Sequence, residues 1–352
     1  MSLIIYTPDF SGRNEIANAI SVQMSYYYND VGKLILDVPI SPHNVEVLKK
    51  NSMLYDTEKK LAYIIKNVKT DTKQNRITAN GFTTNTILNK RIVAAQTALT
   101  KVESGVYSVV NDNLRGLSKI ATAPSKGLTK QTRVTLYGKE LLEQIMPVLS
   151  NAGYGNRMIW NHRTEQHIFE VYEGQDRTTG MNAVVFSDEQ GTARDLVITD
   201  DASTFKNVVY VVATYSEEQT DTEGVTTTIE RPFLEVVGTA TGDERHEQWL
   251  EVSLTTEEGE TEAAFRERMR NQGKMQIGKN IKPLSFSVVI DPAELGTVYN
   301  IGDIVVCVSK RFGVRFNARV SGMKYKQDVN SQTTEIILGE PIITGGTDNG
   351  EN

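Results

Sequence analysis

Residues 32–55, GKLILDVPISPHNVEVLKKNSMLY, decide the fold. GKLILDVPI is a strand-like run. Asn29, Asp30 and Gly32 around its start form a turn-rich cluster that predicts a hairpin with SVQMSYYYND, residues 21–30. Ser41 then suits a helix cap and Pro42 the first helical position, because proline's missing N–H has no helical partner to lose there. Downstream, LAYIIKNVKT and NRITANGF flank the polar TDTKQN and predict a second hairpin. TTNTILNKRIV reads as a short helix capped by Thr83 or Thr84. Residues 1–93 are expected to form one small barrel-like unit.

Outward from this unit the patterning changes. Residues 94–131 are small, polar and weakly patterned, with VESGVYSVV as the strand-like run of an insertion. GKELLEQIMPVLSNAGY carries Leu141, Ile145 and Leu149 at helical spacing, has Pro147 as a kink position and ends on Gly153, a natural C-terminal cap. MIWNHRTEQHIFEVYEG and MNAVVFSDEQG follow as strands, so residues 94–200 are expected to be α+β. Residues 201–344 return to strands: NVVYVVATYS, RPFLEVVGTA, SFSVVI, IVVCVSKR, GVRFNARVSGMKYK and TTEIILGE, with the helix TEEGETEAAFRERMRNQG inserted. In GVRFNARV, Val314, Phe316, Ala318 and Val320 alternate with Arg315, Asn317 and Arg319, the period of a half-buried strand. Residues 345–352 are expected to be a disordered tail. The predicted class is mainly β with an α+β middle: two small tube-like β-barrel domains plus an α+β domain.

Composition narrows the function. No stretch approaches the roughly 20 apolar residues of a membrane-spanning helix, and the N-terminus MSLIIYTPDF has no basic region of a signal peptide, so neither a span nor host-mediated secretion is expected. Cys307 is the single cysteine, which excludes an intrachain disulfide and multi-cysteine zinc sites and fits assembly in a reducing cytoplasm. Residues 49–139 hold 17 basic and 5 acidic side chains, and residues 217–262 hold 14 acidic and 2 basic. Such segments are solvated faces or complementary surfaces of neighbouring subunits. The aromatics of the basic segment, Tyr55, Tyr63, Phe82, Tyr107 and Tyr137, are scattered, unlike the interleaved stacking residues of a nucleic-acid reader.

Enzyme signatures fail on spacing. HEQWLE at His246 starts like a zinc-peptidase helix, but Leu250 stands where the second histidine is needed. HRTEQH, His162 to His167, sets Glu165 and His167 out of step with the inverted zinc motif. Neither a G-x-S-x-G elbow nor a P-loop occurs. GYGN at Gly153 and GQDRTTG at Gly174 read as turns, and the acid pairs Asp188/Glu189 and Asp200/Asp201 lack calcium-loop spacing. No catalytic, cofactor-binding or metal-binding residue and no cofactor are expected. A sugar-binding module would favour exposed tryptophan and tyrosine; the tryptophans are Trp160 and Trp249, and two of the three tyrosines Tyr26, Tyr27 and Tyr28 are expected in the core.

Taken in order, GKLILDVPISPHNVEVLKKNSMLY with LAYIIKNVKTDTKQNRITANGFTTNTILNKRIV, then FEVYEGQDRT with VVFSDEQG and FKNVVYVVAT, then YNIGDIVVCVSKRFGVRFNARVSGMKYK with EIILGEP resemble the tail-hub proteins of long-tailed phages and prophages. In the first stretch the resemblance includes Leu88, Arg91 and Ile92. A departure is Thr192 after Gly191, where the family often has asparagine. The likeness spans residues 32–341. It implies a virion structural protein, a homotrimeric baseplate or tail-tip hub whose three chains supply six barrels to a sixfold tube and help gate the channel. The implied partners are distal tail and tail-tube proteins, the tape-measure protein and adsorption or receptor-binding proteins. Phage DNA would pass through the ring without specific binding. The implied place is the virion tail tip after assembly in the host cytoplasm, and the chain is expected to be a hub region without an enzymatic extension. In IGDIV, Gly302 suits a left-handed turn and Asp303 can accept nearby backbone N–H groups. A tail-associated cell-wall hydrolase and a host-surface binding module are the alternatives.

Overall fold

The first region of the computed structural model, which describes residues 3–342 except 17, 188, 190, 191, 193, 201, 202, 204, 221–225, 258, 280–283, 290–293 and 312, contains the hairpin expected around Asn29, Asp30 and Gly32. The expected tail lies outside the described residues. The region runs β1 (Leu3–Tyr6), β2 (Arg13–Ile16), β3 (Ser21–Tyr27), β4 (Lys33–Pro39), α1 (Pro42–Val47), β5 (Met53–Asp56), β6 (Leu61–Asp71) and β7 (Arg76–Thr83). Its strands pair antiparallel in the order β3-β4-β7-β6-β5-β1-β2, and both predicted hairpins form. The Ser41 hydroxyl accepts the Asn44 N–H at 3.1 Å with Pro42 opening α1, as the capping pattern predicts. Thr84–Lys90 is a 3₁₀ turn, and Thr83 at its start makes no capping bond. Its hydroxyl donates to Asn85 instead and accepts the N–H of Gly32, which ties the turn to the β3–β4 loop.

The middle corrects one expectation. VESGVYSVV is the helix α2 (Val102–Asn113), between β8 (Thr97–Lys101) and β9 (Ile120–Thr122). Four valines favour a strand by local propensity. Helical spacing, however, sets Val102, Val106, Val109 and Val110 on one face, where they join a core that also takes Leu141, Ile145 and Leu149. Burial of that stripe outweighs propensities of a few tenths of a kcal/mol per residue. Glu103 in the first turn accepts the N–H groups of Lys126 and Leu128 and the Ser125 hydroxyl, so the helix also orders the chain leading to β10 (Gln131–Leu136). Next come α3 (Leu141–Asn151), β11 (Gly155–Asn161) and β12 (Gln166–Tyr172). Gly153 follows α3 at φ 69°, the left-handed position that ends many helices. The same core reaches Ile4, Tyr6, Met53, Tyr55, Ala62 and Ile64, so the middle packs on one face of the first sheet.

The remaining elements are β13 (Val185–Ser187), β14 (Arg194–Asp200), β15 (Val208–Thr220), β16 (Thr226–Val237), β17 (Glu247–Glu251), α4 (Glu262–Lys279), β18 (Leu284–Val289), β19 (Ile304–Ser309), β20 (Val314–Asp328) and β21 (Gln332–Ile342). Pairing crosses the expected boundary at residue 200: β13 pairs with β19 and β14 with β18. Residues 208–251 stay out of that sheet. They form the three-stranded sheet β16-β15-β17, covered by α4. β20 is the seam of the molecule. Val314–Arg319 pairs with β19, Gly322–Asp328 pairs with β3, and β21 runs along its other edge. Thirteen strands are thereby joined into one continuous pairing, with its path open at β14 and β2 among the described residues. Two cores lie along it. One gathers side chains of β1 to β7 with Tyr325, and the other gathers Phe186, Val288, Val305, Cys307, Ala318, Val320, Ile336 and Leu338. The chain is mainly β with an α+β middle, as the sequence predicts. No helix among the described residues is long and apolar enough to cross a membrane.

Candidate functional site

The residues tested for catalysis do not converge. HRTEQH spans the β11–β12 hairpin, with His162 to Glu165 in its turn. His162 Nδ1 lies 2.8 Å from the Tyr6 hydroxyl, and burial together with the Arg13 charge lowers its pKa. His167 faces Trp160 across the hairpin and is fully buried against Phe10 and Trp160. Neither of its ring nitrogens has a protein hydrogen-bond partner, and burial pushes its pKa down to about 3. Glu165 pairs with Lys119 at 3.0 Å. His246 precedes the strand β17, so Leu250 lies on a sheet and the helical zinc arrangement has no scaffold. Burial pushes the Cys307 thiol up to about 12, the opposite direction from the lowered pKa of a reactive cysteine. Glu189 pairs with Lys310 at 2.7 Å, Asp200 ends β14, and Asp188, Asp201 and Gly191 lie outside the described residues. Among the described residues no group of three or more His, Cys, Asp or Glu could hold a metal ion.

What does converge is a junction between the two sheet regions and the middle. Tyr28, at the end of β3, is 1 % exposed, and its hydroxyl donates toward the carbonyls of Gly153 at 3.0 Å and Tyr172 at 3.1 Å while accepting the Gly174 N–H. Burial raises its pKa against the lowering influence of Arg319. The Tyr172 ring meets it edge-on at 5.1 Å, and the Arg319 guanidinium lies 5.0 Å from its centroid. Gly155 and Gly302 are needed beside it: a Cβ would approach the ring within 2.2 and 2.4 Å respectively. At Gly174 a Cβ would lie 1.9 Å from the Gly302 carbonyl oxygen, so this glycine serves backbone contact, and its loop is a joint.

Gly302 holds φ 104°, the left-handed turn predicted from IGDIV, and its carbonyl accepts Arg319 Nη1 at 2.6 Å. Asp303, 2 % exposed, accepts the N–H groups of Asn300 at 3.0 Å and Gln175 at 2.8 Å and Nε of Arg177 at 2.6 Å. The expected turn acceptor therefore also ties the end of the middle region to β19. That second duty was invisible in sequence because Gln175 and Arg177 lie well over a hundred residues away. Tyr26 and Tyr27 flank the junction half-buried, Tyr26 packing toward the core of the second region.

Outside the junction the most exposed tryptophan is Trp249, 60 % accessible and beside Tyr210 on the β16-β15-β17 sheet, whereas Trp160 is buried. The Siphovirus ReqiPepy6 Gp37-like protein family matches residues 2–340 of the sequence. The chain belongs to this family. Nearly all of this family member is also similar in fold to solved tail proteins. With the tail protein from Neisseria meningitidis MC58 it shares 10% identity and a TM-score of 0.59, over 96% of each chain. With prophage MuSo2 43 kDa tail protein from Shewanella oneidensis the values are 10% and 0.53, over 97% of this chain and 98% of that one. With prophage tail protein gp18 from Listeria monocytogenes EGD-e they are 12% and 0.51, over 96% and 94%. No curated protein matches the chain. The family and the shared fold agree with the tail-hub resemblance drawn from the order of the sequence stretches.

Proposed function

We propose that the chain is a structural subunit of a phage or prophage tail tip, a hub that forms a trimeric ring between the sixfold tail tube and the threefold tip and takes part in opening the channel. The observation that carries this reading is the end-to-end likeness of fold to tail proteins, with nearly all of both chains matched. We assign ring building to the units 1–93 and 201–344, with strands 185–200 added to the second, and bracing of the ring to the rest of the middle unit 94–200. Each chain would bring two sheet regions with separate cores, so three chains bring six to a sixfold partner. Cyclic closure makes such symmetry matching natural.

The partners we assign are a second and third copy, distal tail and tail-tube proteins, the tape-measure protein and adsorption proteins, in a virion tail tip assembled in the host cytoplasm. We assign no catalytic step, since the histidines, Cys307 and the described acids are separately held. Mass by light scattering and class averages by electron microscopy test the ring. A threefold ring with six similar lobes is expected at micromolar concentration or on addition of the adjoining tail protein. A chain that stays monomeric in both conditions would overturn it.

A further inference from the structure

Among the described residues, only one face of the β16-β15-β17 sheet is covered. On that face Val209, Val211, Tyr215, Phe233 and Val237 pack with Phe265 and Met269 of α4. The two-residue period of a strand sends Tyr210 and Val212 to the opposite face, and the register sets Val236, Leu234 and Trp249 beside them. Trp249 is 60 %, Leu234 49 % and Val236 45 % exposed. The rings of Tyr210 and Trp249 lie 6.5 Å apart and within 17° of parallel. Scattered apolar side chains on a surface require no explanation, but a contiguous patch centred on tryptophan and tyrosine has the composition of a protein interface. Its rim is acidic. Glu218 and Glu230 continue the same face toward the hairpin end, and Glu247 and Glu251 flank Trp249, all four exposed.

A surface of complementary character lies on the first sheet region. Ile35 and Phe82, each 37 % exposed, point outward as diagonal neighbours of the paired strands β4 and β7. Lys33 stands opposite Phe82, Lys69 opposite Thr78, and Lys324 and Lys326 of β20 opposite Ser25 and Gln23 of β3. All four lysines are exposed. The acids of this face are engaged locally: Asp37 accepts the hydroxyls of Ser21 and Thr78, and Glu335 lies 3.7 Å from the Lys324 ammonium.

We propose that the acidic-rimmed Trp249 face of one copy docks head to tail on the lysine-rimmed Ile35 and Phe82 face of the next copy. The occupant is a second copy because the chain itself carries both the apolar centres and the opposite rims. A contact between two different patches of identical chains closes into a ring when its rotation divides the circle, so one interface suffices for every subunit. Apolar centres supply the affinity, and the opposed rims set register and speed encounter. The assignment rests on the ring reading above and names its interface.

Sedimentation velocity of the full chain at low salt tests it, with circular dichroism and melting to confirm that each variant is folded. Glu230→Lys with Glu251→Lys, and separately Lys324→Glu with Lys326→Glu, should each weaken self-association by about tenfold or more, as should Trp249→Ala. Combining the two charge reversals should restore association to within about threefold of the parent, because the rims again oppose each other. If the parent assembles and the folded variants assemble equally well, this interface is wrong and the ring reading survives. If the parent assembles neither alone nor with the adjoining tail protein, the ring reading itself falls and takes the interface with it. If Trp249→Ala assembles normally but loses retention on host cell-wall glycans, the face is a sugar platform, which also overturns the proposal.

Discussion

His167 occupies a position with 0 % exposure between two aromatic rings, where no charged partner offsets desolvation. Its pKa is pushed down to about 3 from 6.5, so the folded state resists the proton that the unfolded chain accepts. The sign follows from linkage: stability is complete above the unfolded value and is lost as pH falls from about 6.5 toward about 3. Between pH 7 and pH 5 this group should remove about 2 kcal/mol, at 1.36 kcal/mol per unit of differential titration. Urea unfolding of the parent and of His167→Phe over this range should show a shallower pH dependence in the variant. Parallel curves would mean that the imidazole is hydrated in the folded state. Gly302 is limited by both backbone and space. Gly302→Ala should cost about 3 kcal/mol, because φ 104° is strained for alanine and its methyl would meet the Tyr28 ring. Gly296→Ala is the control: φ is 87° but nothing lies within 4 Å, so only the backbone cost of about 1 kcal/mol should appear.

At the level of elements, α2 separates local preference from packing. A strand over 102–110 would place Ser104 and Ser108 on the same face as Val102 and Val106; the helix instead exposes both serines and buries the valines. Val106→Ala should therefore destabilise by about 2 kcal/mol, whereas Ser108→Ala should stay within about 0.5 kcal/mol. Equal effects in equilibrium unfolding would argue for the strand. The contrast with α1 is physical. Ser41 and Pro42 act on the backbone within one turn, so their effect is legible locally. The valines of α2 report only apolarity, and the direction of their burial depends on α3 and the first sheet. The same holds for residues 208–251, whose alternation predicts strands but cannot say which sheet they join.

For the whole molecule, the uneven charge makes assembly the sensitive observable. The strands of the basic segment 49–139 and of the acidic segment 217–262 belong to different sheets, and any attraction between their exposed side chains across subunits would be screened by salt. Exposed charges separated by more than about 8 Å are largely screened at physiological ionic strength. Self-association should thus weaken progressively from low salt to about 0.5 M salt while the melting temperature of the folded chain changes little. Oligomer mass that is constant over that range would leave both segments as solvated faces.

By itself the sequence determined the mainly β class, the two N-terminal hairpins, the Ser41 cap, the glycine turn before Asp303 and, through the order of several weak stretches, the tail-hub resemblance. Each of these depends on backbone geometry over a few residues or on side-chain alternation, which neighbouring positions encode directly. The β20–β3 seam, the entry of β13 and β14 into the thirteen-stranded sheet, and the convergence of Tyr28, Gly155, Gly174 and Gly302 were decided only by tertiary structure. Strand pairing is made of backbone hydrogen bonds that carry no residue label, so partners far apart in the chain leave no mark in either segment. Trp249 and Tyr210 illustrate the same limit. Alternation says that two faces exist, but only the placement of α4 decides which one is covered and which is left facing outward.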